Sequence, residues 1–397
     1  MLRDSFFERG NSQANLNAIA FNISKTFEFA IEPGTPSIDY EPIYPIVLGI
    51  GYKLFGKNWF SITLIQSILY GLTSWIIFLL GINLKDELSG FIAALYHSIY
   101  PYLFFQCLSV FDTTLFIFMF VLLLFLVSNK SRWNLARHDI LLGITMGIFL
   151  LVRGSAVALL PSIILYIVIT SKKKEVFRSG LLILVALLLT ISPWIIRNYK
   201  YTNSIIISTH GGFGFWQGNN ELSRYYLENN ISLDEVYRSD TKPEIYKVYP
   251  QKARPPMDSL KVANAYKAEA LKFINEYPSE ALKLAWVKFN KFWSWQYNPV
   301  ADLYAFGDYF LRQNIYFISY IPLLLSLAAG LYILYKSSSN KFLLAISILL
   351  SYTIAHMVFI GYTRLRLPLD PILMLMFGIT VSQIWSKLKQ KYRCQQL

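Results

Sequence analysis

Asp112 stands in the run CLSVFDTTLFIFMF, within the first turn of an otherwise uncharged apolar segment. An Asp at the centre of a membrane helix costs about 2.5–3.5 kcal/mol to insert, so an acid facing lipid needs a reason. One reason is structural: a carboxylate at a helix N-terminus gains from the helix dipole, here with Thr113 and Thr114 beside it. The other is function. Arg153 is alone at a break in the apolar run 139–170, and Arg364 and Arg366 lie in GYTRLRLPLDP, just before another such run. In an extended approach to Pro368, residues two apart face the same way. Two guanidiniums side by side suit a phosphate or pyrophosphate. The competing role for them is snorkelling to lipid headgroups. Glu41 precedes a further apolar segment in EPIYPIVLG.

The elements that must position these groups are membrane spans, each needing about 20 mostly apolar residues. The candidates are 60–82, 89–106, 110–128, 178–197, 314–335, 341–360 and 368–385. The run 139–170, interrupted at Arg153-Gly154, reads as two short helices folded back on each other, which brings the count to nine. Hydrophobic residues make up 54% of the 397 and charged residues 15%, a balance that suits lipid rather than a soluble core. The fold class expected is an α-helical multi-pass membrane protein with amphipathic surface helices and a small mixed outer domain.

Basic residues set the orientation. Lys130, Arg132 and Arg137, then Lys172, Lys173, Lys174 and Arg178, then Lys336 and Lys341 occupy short loops, and Lys387, Lys389, Lys391 and Arg393 form the tail. Counting spans back from the C-terminus puts all of them on one face, which the positive-inside rule makes cytoplasmic. Asp112, Arg153, Arg364 and Arg366 then share the outer face. The net charge of +13 is scattered along loops and not gathered in a stripe, so no nucleic-acid partner is expected. The chain divides into an outer N-terminal loop at 1–59, spans at 60–197, an extracytoplasmic domain at 198–313, spans at 314–385 and a basic tail at 386–397.

In the N-terminal loop, Leu16, Ile19, Ala20, Ile23 and Phe27 fall at helical spacing, as do Ile43, Ile46, Val47, Ile50 and Leu54. Neither run is long enough to span, so both are expected to lie at the membrane surface. The link EPGTPSIDYEP is a loop. Nothing apolar precedes these residues to carry them across, and nine spans with an inner C-terminus need an outer N-terminus. A preceding helix is therefore expected to be missing. The outer domain opens on the β-prone NSIIIS and the turn-rich HGGFGFWQGNN. Asp258 is expected to cap a helix reaching about Tyr277. Pro278 starts a second helix with Leu282, Ala285, Trp286, Phe289 and Phe292 on one face. Cys107 and Cys394 fall on opposite sides of the membrane and should not pair. His97 and His356 lie in spans with packing or hydrogen-bonding roles, and His138 in an inner loop. No P-loop, dinucleotide fingerprint, nucleophile elbow or metalloprotease motif is present.

EPIYPIVLGIGYKLFG resembles the PPLYP-type segment of membrane glycosyltransferases of the GT-C superfamily. The nearest branch is the bacterial protein O-mannosyltransferase-like and aminoarabinose-transferase-like enzymes. SVFDTTLF, LLVRGSAVALLP, PWIIRNYKYTNS, GGFGFWQGNN, AEALKFINEYPSEALKLAWVKFNKFW and YTRLRLPLDPILMLMFG match in the same order, from about 11 to 385. The resemblance implies transfer of a sugar from a polyprenyl-phosphate carrier to an acceptor outside the cytoplasm, at the plasma membrane, by inverting displacement. In that scheme a carboxylate takes the acceptor's proton and cations stabilise the departing phosphate. Asp112 matches the family's second outer-loop acid, an acceptor or metal contact, which leaves a divalent cation open as cofactor. Glu41 matches the acid before the paired prolines, Arg364 and Arg366 imply contact with the carrier phosphate, and Arg153 matches a basic residue of unspecified role.

The chain departs from the family at its first outer loop, where an Asp normally serves as general base. Aligning NLNAIAFNI puts Ser12 at that position and Leu16 at the aromatic one beside it. Glu8, one turn earlier, or Asp4 are the residues near enough to substitute. The alternative is a non-catalytic relative on the same scaffold, or a lipid-linked-sugar transporter or accessory subunit. A transporter would spread polar residues through the bilayer depth. Here they gather at one face.

Overall fold

The computed structural model describes residues 11–129, 135–229, 231, 244–248, 254–296 and 309–395. Its described residues are helical, with no strand and one isolated bridge, Ala30 to Pro36. The β-prone run at 203–208 therefore forms no strand, and the described part of the expected mixed domain is helical.

Helices α1 (Asn11–Thr26) and α2 (Ile43–Phe55) pack together, their backbones so close that a Cβ on Gly49 would stand 2.9 Å from Ala20 O. Helix α2 buries Tyr44, Leu48 and Tyr52 and leaves Ile46, Ile50 and Leu54 exposed, Leu54 to 68%. This apolar stripe one side over is what a helix lying in a membrane interface presents. Lys53 stands over the Phe27 ring and Lys57 over Phe21.

Helix α3 (Trp59–Leu84) forms a hairpin with α4 (Glu87–Ile99), the tight turn held by a capping box from Asp86 to Ser89. The expected span 89–106 breaks at Tyr100, because Pro101 lacks an amide proton and keeps its predecessor out of the helical region. Helix α5 (Pro101–Gln106) starts afresh there. Next come α6 (Thr113–Ser128) and α7 (Leu135–Val152), then a 3-10 turn at Gly154–Ala158 and α8 (Leu160–Thr170). The break at Arg153-Gly154 is where the sequence puts it, yet α8 packs on a later helix and not chiefly on α7. His138, expected in a loop, is buried in α7 with Nε2 2.9 Å from Leu126 O.

Helix α9 (Lys173–Thr202) packs along α7, where Gly143 and Gly147 allow close approach. The polar segment supplies α10 (His210–Gln217), α11 (Ser223–Glu228), α12 (Glu244–Val248), α13 (Pro256–Glu276) and α14 (Pro278–Phe292). HGGFGFWQ is thus helical and not a turn, because Phe213 and Trp216 pack on Tyr266 of α13. Pro256 begins α13, which puts Asp258 in its first turn rather than at the cap. Pro278 does begin α14, but the buried face is rotated from the expected one and shares Phe292 with it. Leu284, Lys288 and Phe292 are buried, whereas Leu282 is 74% and Trp286 60% exposed.

Last come α15 (Tyr309–Ser337), α16 (Ser339–Val358), the single turn α17 (Thr363–Arg366) and α18 (Asp370–Gln395). Among the described residues five helices are long and apolar enough to cross a membrane, fewer than the nine spans expected. The shortfall lies in the broken or short helices, including α6 and the α8 region. At one end of the bundle Asn83 bonds Asn129 and receives Lys341, and Lys85 reaches Ile379 O at 3.3 Å. The turns around Asn83–Lys85, Asn129 and Lys341 therefore meet at a common end.

Candidate functional site

Three of the residues singled out from sequence meet at the opposite end. Asp112 occupies the N-cap position of α6, yet its side chain caps nothing. Arg153 instead takes both of its oxygens: Nε donates to Oδ2 at 2.8 Å and Nη2 to Oδ1, with a further bond from Nη2 to Thr113 Oγ1 at 3.1 Å. The guanidinium also lies 4.9 Å from the Phe116 ring centroid. A two-pronged pair of this kind fixes direction as well as charge. The next residue, Gly154, donates its amide to Glu41 Oε1 at 2.9 Å, and Ser208 Oγ donates to the same oxygen at 3.0 Å. Glu41 and Asp112 are thus tied to consecutive residues of the turn that interrupts 139–170. A Cβ on Gly154 would stand 3.1 Å from Glu41 Oε1, so glycine gives the carboxylate its room.

Around this pair lie hydroxyls that sequence reasoning passed over. Tyr44, one turn into α2 from Glu41, is 4% exposed and its phenol has no hydrogen-bond partner, while it feels the charge of Asp112. Tyr352 of α16 interacts with Arg153 and stands near Ser155. Ser208 carried no signal, being one serine in a polar stretch. Tyr352 did carry one, as a polar group inside an apolar span.

The two C-terminal arginines separate. Arg364 lays its guanidinium 3.6 Å from the centroid of Phe111, the neighbour of Asp112, and so borders the site. Arg366 does not. Residues 363–366 form a helical turn and not an extended strand, so positions two apart diverge. Arg366 is fully buried, donates to Asp370 Oδ1 at 2.9 Å and Oδ2 at 3.3 Å, bonds Tyr316 Oη at 2.9 Å and stacks 3.6 Å over Tyr320. It is an internal ion pair and not a phosphate clamp. Glu8 and Asp4 lie outside the described residues. Ser12 and Leu16 are on α1, and Leu16 is buried. His97 bonds Ser74 Oγ at 2.8 Å and His356 bonds Ile360 O at 2.8 Å, the hydrogen-bonding roles expected of them. Among the described residues no three His, Cys, Asp or Glu side chains gather to hold a metal, and Arg153 occupies both oxygens of Asp112. These residues, so arranged, do not fit a divalent cation.

Close to this end a lysine is buried. Lys288 is 1% exposed, with Nζ donating to Asn219 Oδ1 at 2.9 Å and to Val358 O at 3.3 Å, so it joins α14 to the end of α16. Burial penalises the ammonium and pushes its pKa from the usual 10.5 down to about 7. Between those two values the unfolded chain holds more protons than the folded one, so stability rises with pH across that window. Below pH 7 the full cost of the buried charge remains. Thermal stability in detergent should therefore increase from pH 7 to 10, by on the order of 4 kcal/mol in total. Lys288→Met should flatten the curve. An unchanged slope in the variant would remove Lys288 as its source.

Comparison with known proteins follows the same lines. Residues 36–196, which contain Glu41, Asp112 and Arg153, match the family model described as dolichyl-phosphate-mannose-protein mannosyltransferase. No curated protein matches the sequence. Among solved structures, the chain is similar to the archaeal oligosaccharyltransferase AglB from Archaeoglobus fulgidus, in complex with an inhibitory peptide and a dolichol-phosphate. The alignment has 17% identity and a TM-score of 0.56, and covers 99% of this chain and 47% of that one. The Archaeoglobus fulgidus oligosaccharyltransferase tethered to an acceptor peptide aligns with 14% identity, TM-score 0.56, and 95% and 46% coverage. ArnT from Cupriavidus metallidurans bound to undecaprenyl phosphate aligns with 13% identity, TM-score 0.44, and 96% and 76% coverage. The chain thus spans less than half the length of the archaeal enzyme. The chain matches that family model over residues 36–196, shares a helical fold with the archaeal enzyme along nearly its whole length, and carries among its described residues five helices long and apolar enough to cross a membrane.

Proposed function

We propose that this protein transfers a glycosyl group from a polyprenyl-phosphate-linked donor to a hydroxyl-bearing acceptor on the outer face of the plasma membrane. The observation that carries the reading is the convergence of Glu41, Asp112 and Arg153, from three separate parts of the chain, on one turn. Glu41 is the better base. Only its Oε1 accepts hydrogen bonds among the described residues, and it is half-exposed. Asp112, held from both oxygens by a guanidinium, orients Arg153. In an inverting displacement the acceptor oxygen attacks the anomeric carbon and gives its proton to Glu41. The bond to phosphate breaks with its electron pair on the leaving oxygen, and Arg364, with the outer N–H groups of Arg153, stabilises that charge. What supports the donor class is the family match over residues 36–196 and the position of Arg364 beside Phe111, next to Asp112. The sugar and acceptor are left to experiment.

Two measurements test this. The full chain reconstituted in nanodiscs should consume a polyprenyl-phosphate sugar and release free polyprenyl phosphate when offered a panel of acceptors. No turnover with mannose, glucose, arabinose or aminoarabinose donors would favour the non-catalytic relative. For orientation, a cysteine at Glu221 should react with an impermeant thiol reagent on intact cells and one at Lys174 should not, in a Cys394→Ser background. The reverse pattern would overturn the outer location of the site.

A further inference from the structure

One residue pair away from Glu41, the polar segment leaves a notch against the N-terminal region. Thr209 donates its amide to Ile38 O at 3.1 Å and its hydroxyl to Asp39 Oδ1 at 2.7 Å, while its neighbour Ser208 reaches Glu41. The notch has a volume of about 70 Å³ and is walled by four stretches of chain: α1, the 39–40 linker, the start of α10, and α13 with the residues just before it. It does not collapse, because Gly212 already brings α10 into backbone contact with α13. A Cβ there would stand 2.4 Å from Ala263 O.

Its lining is mixed in a particular way. Asp39 supplies a carboxylate, Arg254 a guanidinium and Asn15 an amide, against a wall of rings that includes Tyr40, stacked 5.4 Å from His210. Asn15 Nδ2 donates to the Tyr40 hydroxyl at 3.1 Å, which fixes that ring and leaves the amide oxygen as an acceptor. Asp39 takes Thr209 and, weakly at 3.4 Å, Ser37, while a carboxylate offers about four acceptor sites. Charges of both signs beside neutral donors suit neither an apolar ligand nor a simple ion. They match vicinal hydroxyls, each of which both donates and accepts. Size narrows this further. A cavity of roughly 150 Å³ admits benzene, so this one takes the hydroxyl-bearing edge of a sugar ring and not the whole ring.

We propose that the notch is a binding subsite for a hydroxyl-rich acceptor glycan, holding the edge of one sugar ring at Asp39 beside Glu41. Cα atoms two residues apart lie within about 7 Å. A ring gripped at Asp39 therefore places a neighbouring hydroxyl within reach of Glu41. That the ligand is the acceptor rests on the transferase reading; that the notch binds a sugar does not.

The test is saturation-transfer NMR on the full chain in nanodiscs, with free mannose, glucose, galactose and N-acetylglucosamine as probes. At least one should receive saturation at its ring protons. Asp39→Ala and Arg254→Ala should each weaken that signal at least tenfold, and Val262→Trp, which fills the notch from α13, should abolish it. Asp112→Asn should leave it intact. Silence from every sugar, or a signal that survives both Asp39→Ala and Val262→Trp, overturns the subsite. A signal lost only in Asp112→Asn moves the sugar to the Asp112 centre and overturns it as well. A peptide competing where no sugar binds would do the same. Sugar binding without any donor turnover would leave the subsite standing and sink only the transferase reading.

Discussion

Arg366→Ala should all but abolish folded protein, with a loss of about 3–5 kcal/mol, the usual cost of breaking a buried ion pair from one side. Asp370 would be left fully buried, with its charge unmatched by the guanidinium that now meets both of its oxygens. The tyrosines that enclose the pair, Tyr316 and Tyr320, cannot supply that charge. Arg366→Met with Asp370→Leu should recover most of the loss, because replacing both partners with apolar groups removes the desolvation penalty together with the attraction. Size-exclusion profiles and thermal midpoints in detergent would read this, with Arg364→Ala as the control that keeps the fold. A double variant as unstable as Arg366→Ala alone would show that the guanidinium's stacking on Tyr320 matters more than its charge.

The second large effect concerns turnover. Asp112→Asn should lower transfer by roughly 10²–10³-fold, the range seen when one preorganised electrostatic contact is lost from an active centre. The amide keeps the shape but removes the charge that holds the Arg153 guanidinium in place. Both side chains are less than a fifth exposed, so the variant should also lose some thermal stability, and transfer is to be compared per amount of folded protein. Glu41→Gln should be at least as severe, because it removes the proposed proton acceptor. Full activity in the Asp112 variant would contradict its role, and full activity in the Glu41 variant would move the base elsewhere.

Asp112, Arg153 and Glu41 were legible in the sequence because a polar group at the edge of an apolar run is costly, and cost is a signal a single sequence carries. Their meeting was not, since it depends on how α2, α6 and the 153–158 turn are brought together. Arg366 shows the opposite failure. Its partner Asp370 stands four residues on, the spacing of neighbours on a helix, but Pro368 between them argued for an extended chain. Helix α14 was found with its start correct and its face rotated, Phe292 alone of the expected stripe being fully buried. Periodicity picked the stripe of Leu282 and Trp286, whereas the buried stripe carries Lys288, held by Asn219 and the Val358 carbonyl from other helices. Local pattern reports that a helix has an apolar side. Which side the rest of the molecule covers is a long-range fact.

The outward stripe of Ile46, Ile50 and Leu54 on α2 has a consequence for geometry. Glu41 and Tyr44 sit at the head of this helix, so a float resting on the lipid surface sets their height. Under the proposed function, the reacting centre would be levelled by the bilayer itself, as a boat's deck is by its waterline. The carrier phosphate of the proposed reaction, tethered to its own lipid tail, would ride at the same level. Neither partner has to search in the third dimension: their encounter is confined to a plane, and the membrane supplies the alignment that a soluble enzyme must build from protein.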